Sequence, residues 1–147
     1  MANIVELRGM NGDKLEEMLE NAREEMFNLR FRNASSQLED YSRLKMVRRE
    51  IAQLKTVLNM RQLAIDAAAA QPEIASVLVG KVWQATSRFI YNEGDKDVWA
   101  WKVEFVDGDG KDLASAMVDL NKKRPSQRKA YRQKDQPQLV TSYEIAG

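Results

Sequence analysis

Two apolar stripes at helical spacing, separated by a short polar break, limit what this chain can fold into more than any other feature. Leu15, Leu19, Ala22, Met26 and Leu29 recur at alternating steps of four and three, and Leu44, Val47, Ile51, Leu54 and Leu58 repeat the pattern. Each stripe needs an apolar surface against it, and each finds one in the other. Asn11-Gly12 is a turn signal, and Asp13 with Glu16 has the form of a capping box that would start a first helix. Asn33-Ala34-Ser35-Ser36 favours turns and caps over a helix interior. Ser36-Gln37-Leu38-Glu39 has the capping-box form again and would start a second helix. Two helices with facing stripes and a short connection make an antiparallel hairpin.

The periodicity changes in the second half. Asp66 to Gln71 prolongs the second helix, and Pro72 should stop it. Strands are expected over Val77–Trp83, Arg88–Tyr91, Val98–Val106, Leu113–Leu120 and Leu139–Ile145. The third alternates in part, so one of its faces should be wetter. Asp107-Gly108-Asp109-Gly110 reads as a hairpin turn. A calcium loop fails there on register, which puts Phe105 at the first ligand position and Ala116 at the bidentate acid. Glu93, Asp95 and Asp97 sit in a polar turn that implies neither cleft nor base. Trp83, Trp99 and Trp101 are expected in the core of so small a module. The expected fold is α+β: an antiparallel two-helix hairpin over residues 1–71, then a small antiparallel β-rich module with a basic segment over 72–147.

Composition narrows the function classes. The 147 residues contain no cysteine and no histidine, which removes thiolate nucleophiles, imidazole bases and the commonest zinc ligands, so an enzyme is the least supported reading. No run approaches the roughly 18 apolar residues of a membrane span, and the start lacks the order of a secretory signal, so a cytoplasmic protein is expected. A net charge of +1 argues at first against nucleic-acid binding. That average conceals segregation: residues 41–61 hold six cations against one carboxylate, and 122–134 hold seven cations and no acid. At 100° per residue, Lys45, Arg48, Arg49 and Lys55 fall with Ala52 on one arc beside the second stripe, while Glu50 projects elsewhere. That arc is a candidate phosphate-facing surface. Phe27 and Phe31, four residues apart, lie well off the first seam and need a cover. It could be residues 1–12, the C-terminal module, another protein or stacked nucleotides.

Two stretches carry a family resemblance. Phe27-Asn28-Leu29-Arg30-Phe31-Arg32-Asn33-Ala34-Ser35-Ser36-Gln37-Leu38-Glu39 and Arg43-Leu44-Lys45-Met46-Val47-Arg48-Arg49-Glu50-Ile51-Ala52-Gln53-Leu54-Lys55-Thr56-Val57 resemble the bacterial large-subunit ribosomal protein L-twenty-nine family over about residues 4–61. The resemblance implies a long α-hairpin on the large-subunit rRNA near the peptide exit tunnel. It implies a neighbouring ribosomal protein of the L-twenty-three family, and proximity to nascent-chain factors such as trigger factor or the signal recognition particle. It maps rRNA contacts onto Asn28, Arg30, Phe31, Arg32, Gln37, Arg43, Lys45, Arg48, Arg49 and Lys55. The chain departs from the family at Ser36, where a glycine is usual. The basic run 122–134, with Lys122, Lys123, Arg124, Arg128, Lys129 and Arg132 around Tyr131, resembles the rRNA-threading extensions of ribosomal proteins, the alternative being a disordered soluble tail. The competing reading, from a different class, is a protein-interaction adaptor in which the hairpin is a coiled-coil docking element and the β module binds a peptide or protein.

Overall fold

A computed structural model describes residues 3–91, 99–120 and 139–146. Their elements run α1 (Ile4–Gly9), α2 (Gly12–Ala34), α3 (Ser42–Ala69), α4 (Pro72–Leu78), β1 (Trp83–Tyr91), β2 (Trp99–Asp107), β3 (Asp112–Val118) and β4 (Val140–Ile145). The architecture is helical plus a four-stranded antiparallel sheet. The chain divides into two compact units, Met1–Asn59 and Met60–Gly147. Among the described residues no helix is long and apolar enough to cross a membrane.

In the first unit, the expected seam of α2 is buried in full at Leu15, Leu19, Ala22, Met26 and Leu29. On α3, Val47, Leu54 and Val57 are buried, whereas Leu44, Ile51 and Leu58 are half-buried. Glu25 of α2 bridges Arg43 near the start of α3, and Leu58 lines a groove with Asp13 to Arg23 at the other end of α2. The two helices therefore run in opposite directions. Sequence reasoning missed α1, which at six residues is too short to show a period; it buries Leu7.

The helix boundaries differ from expectation in ways that hydrogen bonds explain. The first long helix is capped not by Asp13 but by Asn11, whose side chain accepts from Gly12 N–H at 2.9 Å. Ser36 does not cap a second helix. It stands at φ 58° just past the end of α2, where Ser36 N–H donates to the Asn33 carbonyl at 3.2 Å and Gln37 N–H to the Arg32 carbonyl at 2.9 Å. That pair of bonds is a Schellman closure, which puts the residue after the C-cap in the left-handed region. The second long helix starts at Ser42, whose N–H and hydroxyl donate to the Asp40 carboxylate at 2.9 and 2.6 Å. Asp40, through these bonds, is held below the ordinary carboxylate range.

In the second unit, Pro72 ends one helix and opens another. α3 stops at Ala69, and α4 carries Pro72 in its first turn, where a missing N–H costs nothing. The strand expected from Val77 is therefore displaced: Val77 and Leu78 close α4, and the first strand begins at Trp83. The sheet order is β1-β2-β3-β4, every neighbour antiparallel, with irregularities between Phe105 and Val106 and between Met117 and Val118. Register pairs Trp101 with Val118, Val103 with Ala116 and Phe105 with Ala114, and all six are buried. α4 packs against β3 and buries Ile74 and Leu78. Residues between these positions on β2 face the wetter side, where Arg88 and Lys102 meet Glu104 at 3.8 and 2.9 Å. Glu104, through the Lys102 bond first, is held below its ordinary range.

Phe105 and Trp101 are core residues with edge-on partners, Trp83 at 5.4 Å and Phe89 at 5.2 Å between ring centres. Trp83 is not core as expected, since 37% of it is exposed. It starts an edge strand, where its ring can cover Phe105 from one side only. The side chain of Trp99 lies outside the described residues. The turn after β2 is as expected: Gly110 N–H donates to the Asp107 carbonyl at 3.1 Å, and the Asp107 carboxylate accepts from the N–H groups of Asp109 and Lys111 at 2.8 and 3.1 Å. These bonds, that of Lys111 first, keep Asp107 below the ordinary carboxylate range.

Candidate nucleic-acid interface

The candidate interface is built on α3. A helix repeats every 3.6 residues, so positions 45, 48, 49 and 55 share one side while 47, 54 and 57 share the other. In the structure Lys45, Arg48, Arg49 and Lys55 are exposed, and so is Ala52 between them. Among the described residues none of these four cations forms an ion pair. A cation left without a carboxylate is free to take an external anion, and four on one arc match the repeating charge of a phosphate backbone.

Arg43 stands apart from this group. Its Nε donates to Glu25 Oε1 at 2.5 Å, and this bond, with the charge of Glu25, raises its pKa further. Its first task is to tie α3 to α2. Asn28, Arg30, Arg32 and Gln37 are exposed. Where α2 turns into α3, an open concavity of about 630 Å³ brings Arg32, Gln37 and Arg43 together with Leu29 and Leu38. The resemblance singles out the first three residues individually; their convergence depends on the Schellman closure.

Phe27 and Phe31 are 69% and 65% exposed, so within the first unit residues 3–12 do not cover them. Tyr41, 64% exposed in the turn, is a third aromatic near the basic start of α3 that sequence reasoning passed over. Its signal was available: an aromatic adjoining a helix start, outside either stripe. Lys122, Lys123, Arg124, Arg128, Lys129 and Arg132, like Glu93, Asp95 and Asp97, lie outside the described residues.

Comparison with known proteins agrees with the first unit. The family model described as Ribosomal L29 protein matches residues 5–61. The chain is 48% identical over 65 residues to the large ribosomal subunit protein uL29 of Frankia alni, an alignment covering 44% of this chain and 73% of that protein. It is 50% identical over 66 residues to the protein of the same name from Thermobifida fusca, covering 45% and 78%. With that from Natranaerobius thermophilus it shares 48% over 61 residues, covering 42% and 94%. No solved structure matches the chain. A match that takes in α1, α2 and the basic arc of α3, at nearly half identity and over most of each relative's length, makes this chain a member of the uL29 family of large-subunit ribosomal proteins.

Proposed function

We propose that the protein is a structural constituent of the large ribosomal subunit that binds rRNA through its helical hairpin and supports translation without catalysing a reaction. The observation that carries this is the arc of Lys45, Arg48, Arg49 and Lys55, exposed and free of carboxylate partners within the segment matched to the family. Phosphate contacts by the arc fix the hairpin on the RNA, with Asn28, Arg30, Arg32, Gln37 and Arg43 adding contacts at the turn. Phe27 and Phe31 cover unpaired bases. Residues 1–71 are the rRNA-binding hairpin, and 72–147 are an extension in which the cations of 122–134 reach further along the RNA. The hairpin lies near the peptide exit tunnel, beside the L-twenty-three-family protein and within reach of trigger factor or the signal recognition particle. The adaptor reading has no observation in its favour that this one lacks.

Sedimentation tests the proposal. The protein is expected to travel with large subunits in a sucrose gradient, and Arg48→Glu with Arg49→Glu is expected to release it. The four phosphate contacts of the arc contribute about 3 to the slope of log Kd against log salt, and the double variant should lower it by about 1.5. Association with subunits that survives both charge reversals, or that ignores salt, would overturn the proposal.

A further inference from the structure

The concavity at the turn between α2 and α3 contains side chains of three kinds that, among the described residues, have no intramolecular task. Two of its polar groups form its frame. Arg43 is held by Glu25 at 2.5 Å, and Asp40 by the N–H and hydroxyl of Ser42 at 2.9 and 2.6 Å. Arg32, Gln37 and Glu39 line the same recess, are exposed, and among the described residues form no side-chain hydrogen bond or ion pair. Leu29, 7% exposed, and the half-buried Leu38 give it an apolar floor. The recess thus offers a cation, a carboxamide and a carboxylate around an apolar surface, in about 630 Å³. That lies within the roughly 300–1,000 Å³ of small-ligand clefts.

We propose that this recess takes one unpaired guanine nucleotide of RNA. The inference rests on the RNA-binding reading above and names a base for one part of that surface. An ionised carboxylate only accepts hydrogen bonds, and its two oxygens suit a pair of adjacent donors. Guanine alone among the four bases presents two adjacent donors, N1–H and N2–H₂, on its Watson–Crick edge. Glu39 accepts that pair, the Gln37 amide supplies the donor that guanine O6 requires, and the Arg32 guanidinium meets the phosphate in a charge-assisted bond. Leu29 and Leu38 cover the base plane. Adenine and cytosine offer a donor beside an acceptor, which leaves one Glu39 oxygen facing a lone pair.

The test uses the full chain and three labelled pentaribonucleotides with a central guanine, inosine or adenine flanked by uridines, read by fluorescence anisotropy. Inosine keeps the guanine outline and lacks the N2 amine. Loss of a hydrogen bond to a charged acceptor should weaken it about tenfold relative to guanine. Glu39→Gln should bring the two to equal affinity, Glu39→Asp should keep the preference, and Arg32→Ala should weaken all three alike. Equal affinities in the unaltered protein, a preference that persists in Glu39→Gln, or no measurable binding of any pentamer would each overturn the assignment. If the recess fails while the unaltered protein still travels with large subunits, the guanine site is wrong and the ribosomal reading stands. If subunit association fails as well, both fall.

Discussion

The wetter face of the sheet and the outer arc of α3 handle the same side chains in opposite ways. On the wetter face of the sheet, Arg88 and Lys102 converge on Glu104, so exposed charge is neutralised within the fold. On α3, Lys45, Arg48, Arg49 and Lys55 are exposed and, among the described residues, form no ion pair. The aromatics divide likewise: Phe105 and Trp101 are 0% and 2% exposed, whereas Phe27 and Phe31 are 69% and 65% exposed. Exposure alone therefore does not mark a binding face. The mark is polar or aromatic surface that its own fold leaves without a partner.

Substitutions break or sharpen this contrast. The largest expected effect is Phe105→Ala, which empties a fully buried site between β1 and β3 and should cost about 3–5 kcal/mol in a denaturant melt followed by tryptophan fluorescence. RNA affinity of the refolded protein should hold; an equal loss there would mean that binding depends on the packed core of the sheet and not only on the cations of the hairpin and of 122–134. Phe27→Ala with Phe31→Ala should leave the melt within about 0.5 kcal/mol, as surface changes do. The same pair should weaken RNA binding by about 1–3 kcal/mol per ring if bases stack on them. Lys45→Ala should lower the salt slope of RNA binding by about 1, while Lys102→Ala, taken from the neutralised face, should not change it. Equal responses would erase the distinction between the two surfaces.

Smaller effects test the turns that hold each unit in shape. Ser36→Gly should stabilise the protein by about 0.5–1 kcal/mol in a thermal melt, because a left-handed φ strains a residue with a Cβ and glycine's greater unfolded entropy returns part of the gain. The sheet turn should respond to acid instead. Asp107 has its pKa lowered in the fold, so its contribution is complete above the unfolded carboxylate value and disappears as pH falls through the lower, folded one. Amide shifts of Asp109 and Lys111 followed by NMR during acidification should move together across that window. Amides along the middle of α2, away from the similarly held Asp40, should not move with them.

Periodic features could be read from the sequence, and local competitions could not. The seam of α2 and the alternation of β2 are repeats, and repeats survive ignorance of the neighbours. The start of α3 is a contest between two chemically similar signals. Ser36 to Glu39 has the spacing of a capping box, but Asp40 wins because the Schellman closure has already committed the backbone of Ser36 and Gln37 to the end of α2. Val77 to Val82 is an apolar run that suits strand or helix, and Pro72 decides it by opening a helix rather than only ending one. At the candidate interface, the cations were visible as residue types. That Arg43 is already engaged by Glu25, while Lys45, Arg48, Arg49 and Lys55 are not, depends on the register between α2 and α3, which no single-helix pattern contains.

The sheet order, in which each strand lies beside its neighbour in sequence, bears on how the second unit is made. Every pairing joins strands that are consecutive in sequence, so the sheet can grow strand by strand in the direction of synthesis. The same topology tolerates variation in what joins the strands. Doubling the length of the connection from β3 to β4 would add only about 0.6 kcal/mol of closure entropy, so that segment can lengthen or shorten over evolution with little penalty to the fold that carries it.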